Sequence, residues 1–118
     1  MSRPGSLPKQ VDIDGEVWRV SRPSTLRLPH TGEKCYGLCV FDTCTIKVVR
    51  HLGHSERAWA TLRHEMCHAR LFKIGALKFL ERLVPDDAER LDIEDDLIDR
   101  AILPISWNMQ PFFAKSDR

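Results

Sequence analysis

The sequence lacks the features that would direct it to a membrane, a nucleic acid or an oxidised compartment. No apolar run approaches the roughly 20 residues that a membrane-spanning helix needs. The opening MSRPGSLPKQ has basic residues with no apolar core behind them, so no signal peptide is expected. Neither sign of charge is in excess: 18 Lys+Arg against 17 Asp+Glu leave a net charge of +1. Such a balance predicts neither a nucleic-acid partner nor a membrane surface. The four cysteines, Cys35, Cys39, Cys44 and Cys67, form no C-x-x-C pair, which excludes a cysteine-rich zinc ribbon. They read as reduced, partly buried thiols, with a hairpin disulfide or a second metal site as alternatives. No internal repeat or linker is evident. A cytoplasmic protein is expected.

What is present suits one globular domain. The chain has 118 residues, 42% hydrophobic and 30% charged, enough for one compact core and too few for two. Residues 1–10 read as a flexible tail, and residues 11–118 as a single domain.

The β-rich half comes first. VDIDGEVWRV alternates apolar and polar residues around Asp14-Gly15, the signature of a short hairpin. SRPSTLRLPHTGEK holds turn formers around a Leu-rich piece and predicts a loop with one brief strand. CYGLCVFDTCTIKVVR predicts a second hairpin, Tyr36–Phe41 and Cys44–Val49, about Asp42-Thr43. The helical half follows. Ser55 is a plausible N-cap for a helix from Glu56 to Lys73 that ends near Gly75. ALKFLERLV predicts a short helix closed by Pro85. DDAERLDIEDDLIDRAIL predicts a third, at least from Asp92 to Leu103, where Pro104 ends or kinks it. Trp107, Phe112 and Phe113 in the tail are expected to dock on the core. Strands before helices make an α+β domain.

The first helix carries the most specific motif, His64-Glu65-x-x-His68. Residues four apart lie one turn apart on one face, so both imidazoles can direct a nitrogen at one ion. At about 100° per residue, Ala58, Trp59, Leu62, Met66 and Ala69 form a core stripe. His64, His68, Thr61 and Phe72 fall on a different arc. Glu65 stands about 100° from His64, close enough to take a proton from an activated water without ligating the ion. Zinc suits imidazole ligands and tetrahedral geometry, but two histidines and a water leave one position for a third protein ligand. On the last helix Glu94 falls within the apolar face formed by Leu97, Ile98, Ala101 and Ile102, where a carboxylate is costly unless it has a partner. Glu94 is therefore the expected third ligand. Asp95, at the edge of that face, is the second choice. Cys67 could compete as a soft ligand, although its direction makes joint ligation strained. Tyr36 is a candidate oxyanion stabiliser, as are His30, His51 and His54.

LRHEMCHARL followed about 26 residues later by EDDLIDRAIL resembles the short gluzincin-type metallopeptidases of phages and prophages. The likeness extends to ImmA/IrrE-type peptidases and, more loosely, to SprT-like ones, over roughly residues 35–105. The resemblance implies a minimal zincin-like α+β domain, with an N-terminal antiparallel β-sheet or hairpin packed on the His-Glu-x-x-His helix and a later ligand-bearing helix. It also implies a Zn2+ cofactor held by His64, His68 and Glu94, with Glu65 as general base and a protein or peptide as substrate. The location would be host cytoplasm if the protein is phage-encoded. The chain departs from that pattern in having Cys67 inside the motif, no appended helix-turn-helix, and a proline soon after the last helix. An inactive, zinc-stabilised protein-binding module of phage origin is the alternative.

Overall fold

The computed structural model describes residues 5–102. These form an α+β fold with four strands, β1 (Gln10–Ile13), β2 (Glu16–Ser21), β3 (Gly37–Val40) and β4 (Thr45–Val48). Three helices follow, α1 (Glu56–Lys73), α2 (Ala76–Leu83) and α3 (Asp87–Leu97). Leu103, Pro104 and the aromatics Trp107, Phe112 and Phe113 lie outside the described residues.

Both expected hairpins form. Asp14 and Gly15 adopt positive φ values of 51° and 89°, as a two-residue type I′ turn demands. The Asp12 carboxylate accepts from the Gly15 N–H at 2.8 Å. Between β3 and β4, Phe41–Thr43 form a short 3₁₀ turn, and Cys44 turns left-handed at φ 48°.

The sheet as a whole is mixed, which corrects the expectation of an antiparallel one. Its order is β1-β2-β4-β3, and β2 runs parallel to β4 where the two hairpins join. The physical reason is burial. β4 places Ile46 and Val48 fully in the core and takes the interior position, while β3 is only half-buried along its length and takes the edge. The anticipated brief strand in the preceding loop reduces to one bridge between Arg27 and Lys34.

Helix α1 has the expected bounds. Ser55 caps it, its Oγ accepting from Ala58 N at 3.2 Å. Gly75, at φ 82°, supplies the left-handed residue through which the chain turns into α2. Ala58, Leu62, Met66 and Ala69 are buried and belong to one core cluster with Trp18, Val20, Ile46 and Val48 from the sheet. The α1 stripe read from periodicity is thus the core seam.

Two boundaries differ from expectation. Helix α3 includes the expected start at Asp92 and reaches back to Asp87, where Asp86 caps it by accepting from Glu89 N at 2.8 Å. After Leu97 it passes into a π-helical turn, Ile98–Ile102. From residue 5 onward the expected loose tail is tied down. Leu7 is buried and its N–H donates to His54 Nδ1 at 2.9 Å, while Trp59 Nε1 donates to Gly5 O at 2.7 Å. No helix among the described residues is long and apolar enough to cross a membrane.

Candidate metal centre

Burying a polar or charged side chain is costly unless it is partnered. Among the described residues four polar or charged side chains are buried, Thr45, Glu65, His68 and Glu94, and the last three face one cleft. That cleft encloses about 840 Å³ between the start of β3, the exposed flank of α1, and α3 with its π turn.

On its α1 wall the two histidines converge. His64 Nε2 and His68 Nε2 lie 3.2 Å apart, and Asp95 Oδ1 lies 3.0 Å from the first and 2.9 Å from the second. Bonds of about 2.0–2.1 Å to a tetrahedral ion would separate ligand atoms by about 3.3 Å. The triangle is close to that size. His64, His68 and Asp95 therefore form a group that could hold a metal ion. Protons alone satisfy it poorly, because two Nε2–H groups donating to Asp95 also face one another at 3.2 Å.

The opposite edges of both rings are also engaged. His64 Nδ1 lies 3.1 Å from Asp99 Oδ1, and His68 Nδ1 lies 3.4 Å from Glu94 Oε2. A carboxylate on the far nitrogen fixes ring orientation and tautomer, leaving Nε2 to face the ion. Asp99 reaches His64 from the π turn that follows α3; such turns recur at functional sites.

The third-ligand expectation changes accordingly. Asp95, the second choice, occupies the position anticipated for Glu94. Glu94 does point inward, with Ile98 buried on the same face, whereas Leu97, expected in that stripe, is 40% exposed. The metal-capable group sits between α1 and α3, with Asp95 half-exposed. The inward residue thus meets the interior edge of His68, and its neighbour at the stripe's border reaches both Nε2 atoms. Cys67 stays out of the group: it is buried in the core, and burial raises its thiol to about 11.

The electrostatics follow from this packing. Burial alone would lower the His68 imidazolium, but the hydrogen bonds to Asp95 and Glu94 outweigh it and raise the pKa to about 9. His64 is raised in the same way by Asp95 and Glu65, against its own desolvation. Desolvation would raise Asp95, yet the two imidazoles hold it well below the usual carboxylate range. Burial raises Glu65, against the lowering pull of His68 and His64. Desolvation thus sets a buried carboxyl with a raised pKa beside the two histidines of the group.

Tyr36 and His30 line the same cleft. The Tyr36 ring lies under the Arg57 guanidinium at 4.9 Å and meets the edge of His51 at 6.0 Å. His54 has the structural duty of holding Leu7. Asp99 is among the acidic residues that the sequence offers as a third ligand and that helical spacing turns away from the apolar face; the structure places it on His64 Nδ1 instead. Sequence reasoning missed Arg57 and Gly37. Arg57 and Gly37 carried no sequence signal.

Two expected outcomes follow. Asp99→Asn and Glu94→Gln should each weaken divalent-metal affinity by about 10- to 100-fold, measured by competition with a chromophoric chelator. Metal must also displace the His68 proton, since that group is protonated below about pH 9. Binding should therefore release a proton near neutral pH, and affinity should rise about tenfold per pH unit toward that value; indicator dye in weak buffer reads the release. The metal-free protein has the opposite sign. The raised His68 pKa adds stability that is complete below the free-imidazole value of about 6.5 and is lost as pH climbs through about 9.

Comparison of the chain with protein-family models, with curated proteins and with solved structures finds no match.

Proposed function

We propose that the chain is a zinc-dependent peptidase that hydrolyses a peptide bond of a protein or peptide substrate, with His64, His68 and Asp95 as the metal ligands and Glu65 as general base. The observation that carries this reading is the pair of Nε2 atoms closed by Asp95 Oδ1, with a carboxylate on each Nδ1 and a buried glutamate adjacent. The residue types suit zinc, which favours imidazole nitrogen and accepts a carboxylate oxygen. When bound, the ion would supply Lewis acidity toward the scissile carbonyl and would acidify a water.

The chain's own groups supply the rest. Glu65 takes the proton from the attacking water onto its carboxylate and passes it to the leaving amine as the C–N bond breaks, so atoms and charge balance. Its raised pKa strengthens the carboxylate as the acceptor in the first half of that transfer. Tyr36 and Arg57, both lining the cleft, are the donors available to the developing oxyanion. β3 is one of the two edge strands of the described sheet, and Gly37, Leu38 and Cys39 line the cleft. An extended peptide can add there as a further strand. Leu28, Leu38, Phe41 and Leu91 give the cleft apolar walls suited to the side chains of such a strand.

Incubation of the zinc-loaded chain with a peptide library, read by mass spectrometry, tests the reading. New termini that vanish with chelator and return with zinc are the expected result. An uncut library contradicts it.

A further inference from the structure

Gly37, the first residue of β3, sits against α1. A Cβ built at Gly37 would meet Thr61 Cγ2 at 2.5 Å, Glu65 Cγ at 3.0 Å and Glu65 Oε2 at 3.0 Å. The backbone at Gly37 is not left-handed, so conformational freedom does not account for a glycine at this position. The close approach does. Any side chain here would displace the strand, Thr61 or the glutamate.

The ladder adds a second fact about the same residue. Val49 N donates to Tyr36 O at 2.8 Å, and Gly37 pairs with Val48 and Cys39 with Ile46. In an antiparallel ladder hydrogen-bonded pairs alternate with non-bonded ones. Tyr36 is a bonded position, so Gly37 and Cys39 turn their N–H and C=O groups away from β4, toward the open edge. Gly37 therefore offers its main chain to an incoming strand on one side and lies against the Glu65 carboxylate on its side-chain face.

We propose that Gly37 is a positioning residue: its missing side chain seats the Glu65 carboxylate against the edge of β3, and a peptide strand added to that edge is cleaved beside the residue that pairs with Gly37. This inference rests on the peptidase reading above. Glu65 touches the reacting atoms; Gly37 acts through it and through the register of the bound strand.

The test uses the full zinc-loaded chain and a peptide that the wild type cleaves. Gly37→Ala alone risks disturbing the helix–strand contact. Gly37→Ala/Thr61→Ser removes the Cγ2 atom that the new methyl would meet at 2.5 Å and leaves the 3.0 Å contacts with Glu65 as the nearest of those named. The double variant should retain zinc and KM but lose about 100-fold in kcat, the scale of a displacement of about 1 Å at a reacting group. Thr61→Ser alone should match the wild type. A double variant with the kcat of Thr61→Ser overturns the positioning role. A scan of backbone N-methylation along the peptide tests the register on wild-type protein and decides the matter if the double variant does not fold. KM should rise most for the residue flanking the scissile bond, and an even response along the peptide overturns the register. A wild type that cleaves no peptide at all overturns the peptidase reading and this inference with it, an outcome distinct from both.

Discussion

Glu65→Gln should abolish measurable peptide cleavage while leaving the metal in place. The substitution keeps the length and shape of the side chain and removes its capacity to accept a proton. General-base assistance is worth about 100- to 10,000-fold, so the residual rate should fall by that amount. Zinc content should stay at the wild-type level, because the metal-capable group comprises His64, His68 and Asp95 without Glu65. Stability should hold or rise slightly, since Glu65 is buried with a carboxyl that resists ionisation and an amide carries no charge into that site. The measurement is steady-state cleavage alongside metal analysis on the same preparation. Equal cleavage by wild type and variant would remove Glu65 from the chemistry.

Asp95→Ala should have the largest effect on the metal itself. The Asp95 oxygen stands 3.0 Å and 2.9 Å from the two Nε2 atoms, and no other carboxylate in the group shares that position. Its loss should weaken zinc binding by more than about 100-fold, beyond the 10- to 100-fold typical of an outer partner. Glu94→Ala, by contrast, should stay within that outer range. The order of the two variants is the informative quantity. If Glu94→Ala strips the metal and Asp95→Ala does not, the ligand assignment reverses.

The readable parts of this protein were those set by local chemistry. Helix α1 could be bounded because Ser55 caps one end and Gly75 turns the other, and its two faces followed from spacing alone. Asp14-Gly15 and the alternation around it gave the β1–β2 hairpin. The parallel pairing of β2 with β4 was not legible, since strand order depends on which strand is buried against α1, not on any local signal. The start of α3 was bounded only as no later than Asp92, because its first turn is acidic and exposed, with no apolar period to mark it. At the site, the helical wheel placed Glu94 inward correctly. Which of Glu94 and Asp95 meets both Nε2 atoms and which meets only His68 Nδ1 depends on how α3 lies across α1, and one residue's rotation of about 100° decides it. Gly37 was invisible for a similar reason: a glycine that permits close approach looks, in sequence, like any other glycine in a strand.

Anomalous scattering at the zinc edge, from crystals of the zinc-loaded chain, is the most direct measurement of the central claim. A single peak about 2.0–2.2 Å from His64 Nε2, His68 Nε2 and an Asp95 oxygen, with Asp99 and Glu94 on the two Nδ1 atoms, is the predicted result. No peak in that triangle, with the imidazoles still paired to the three carboxylates in protein never exposed to chelator, would contradict it.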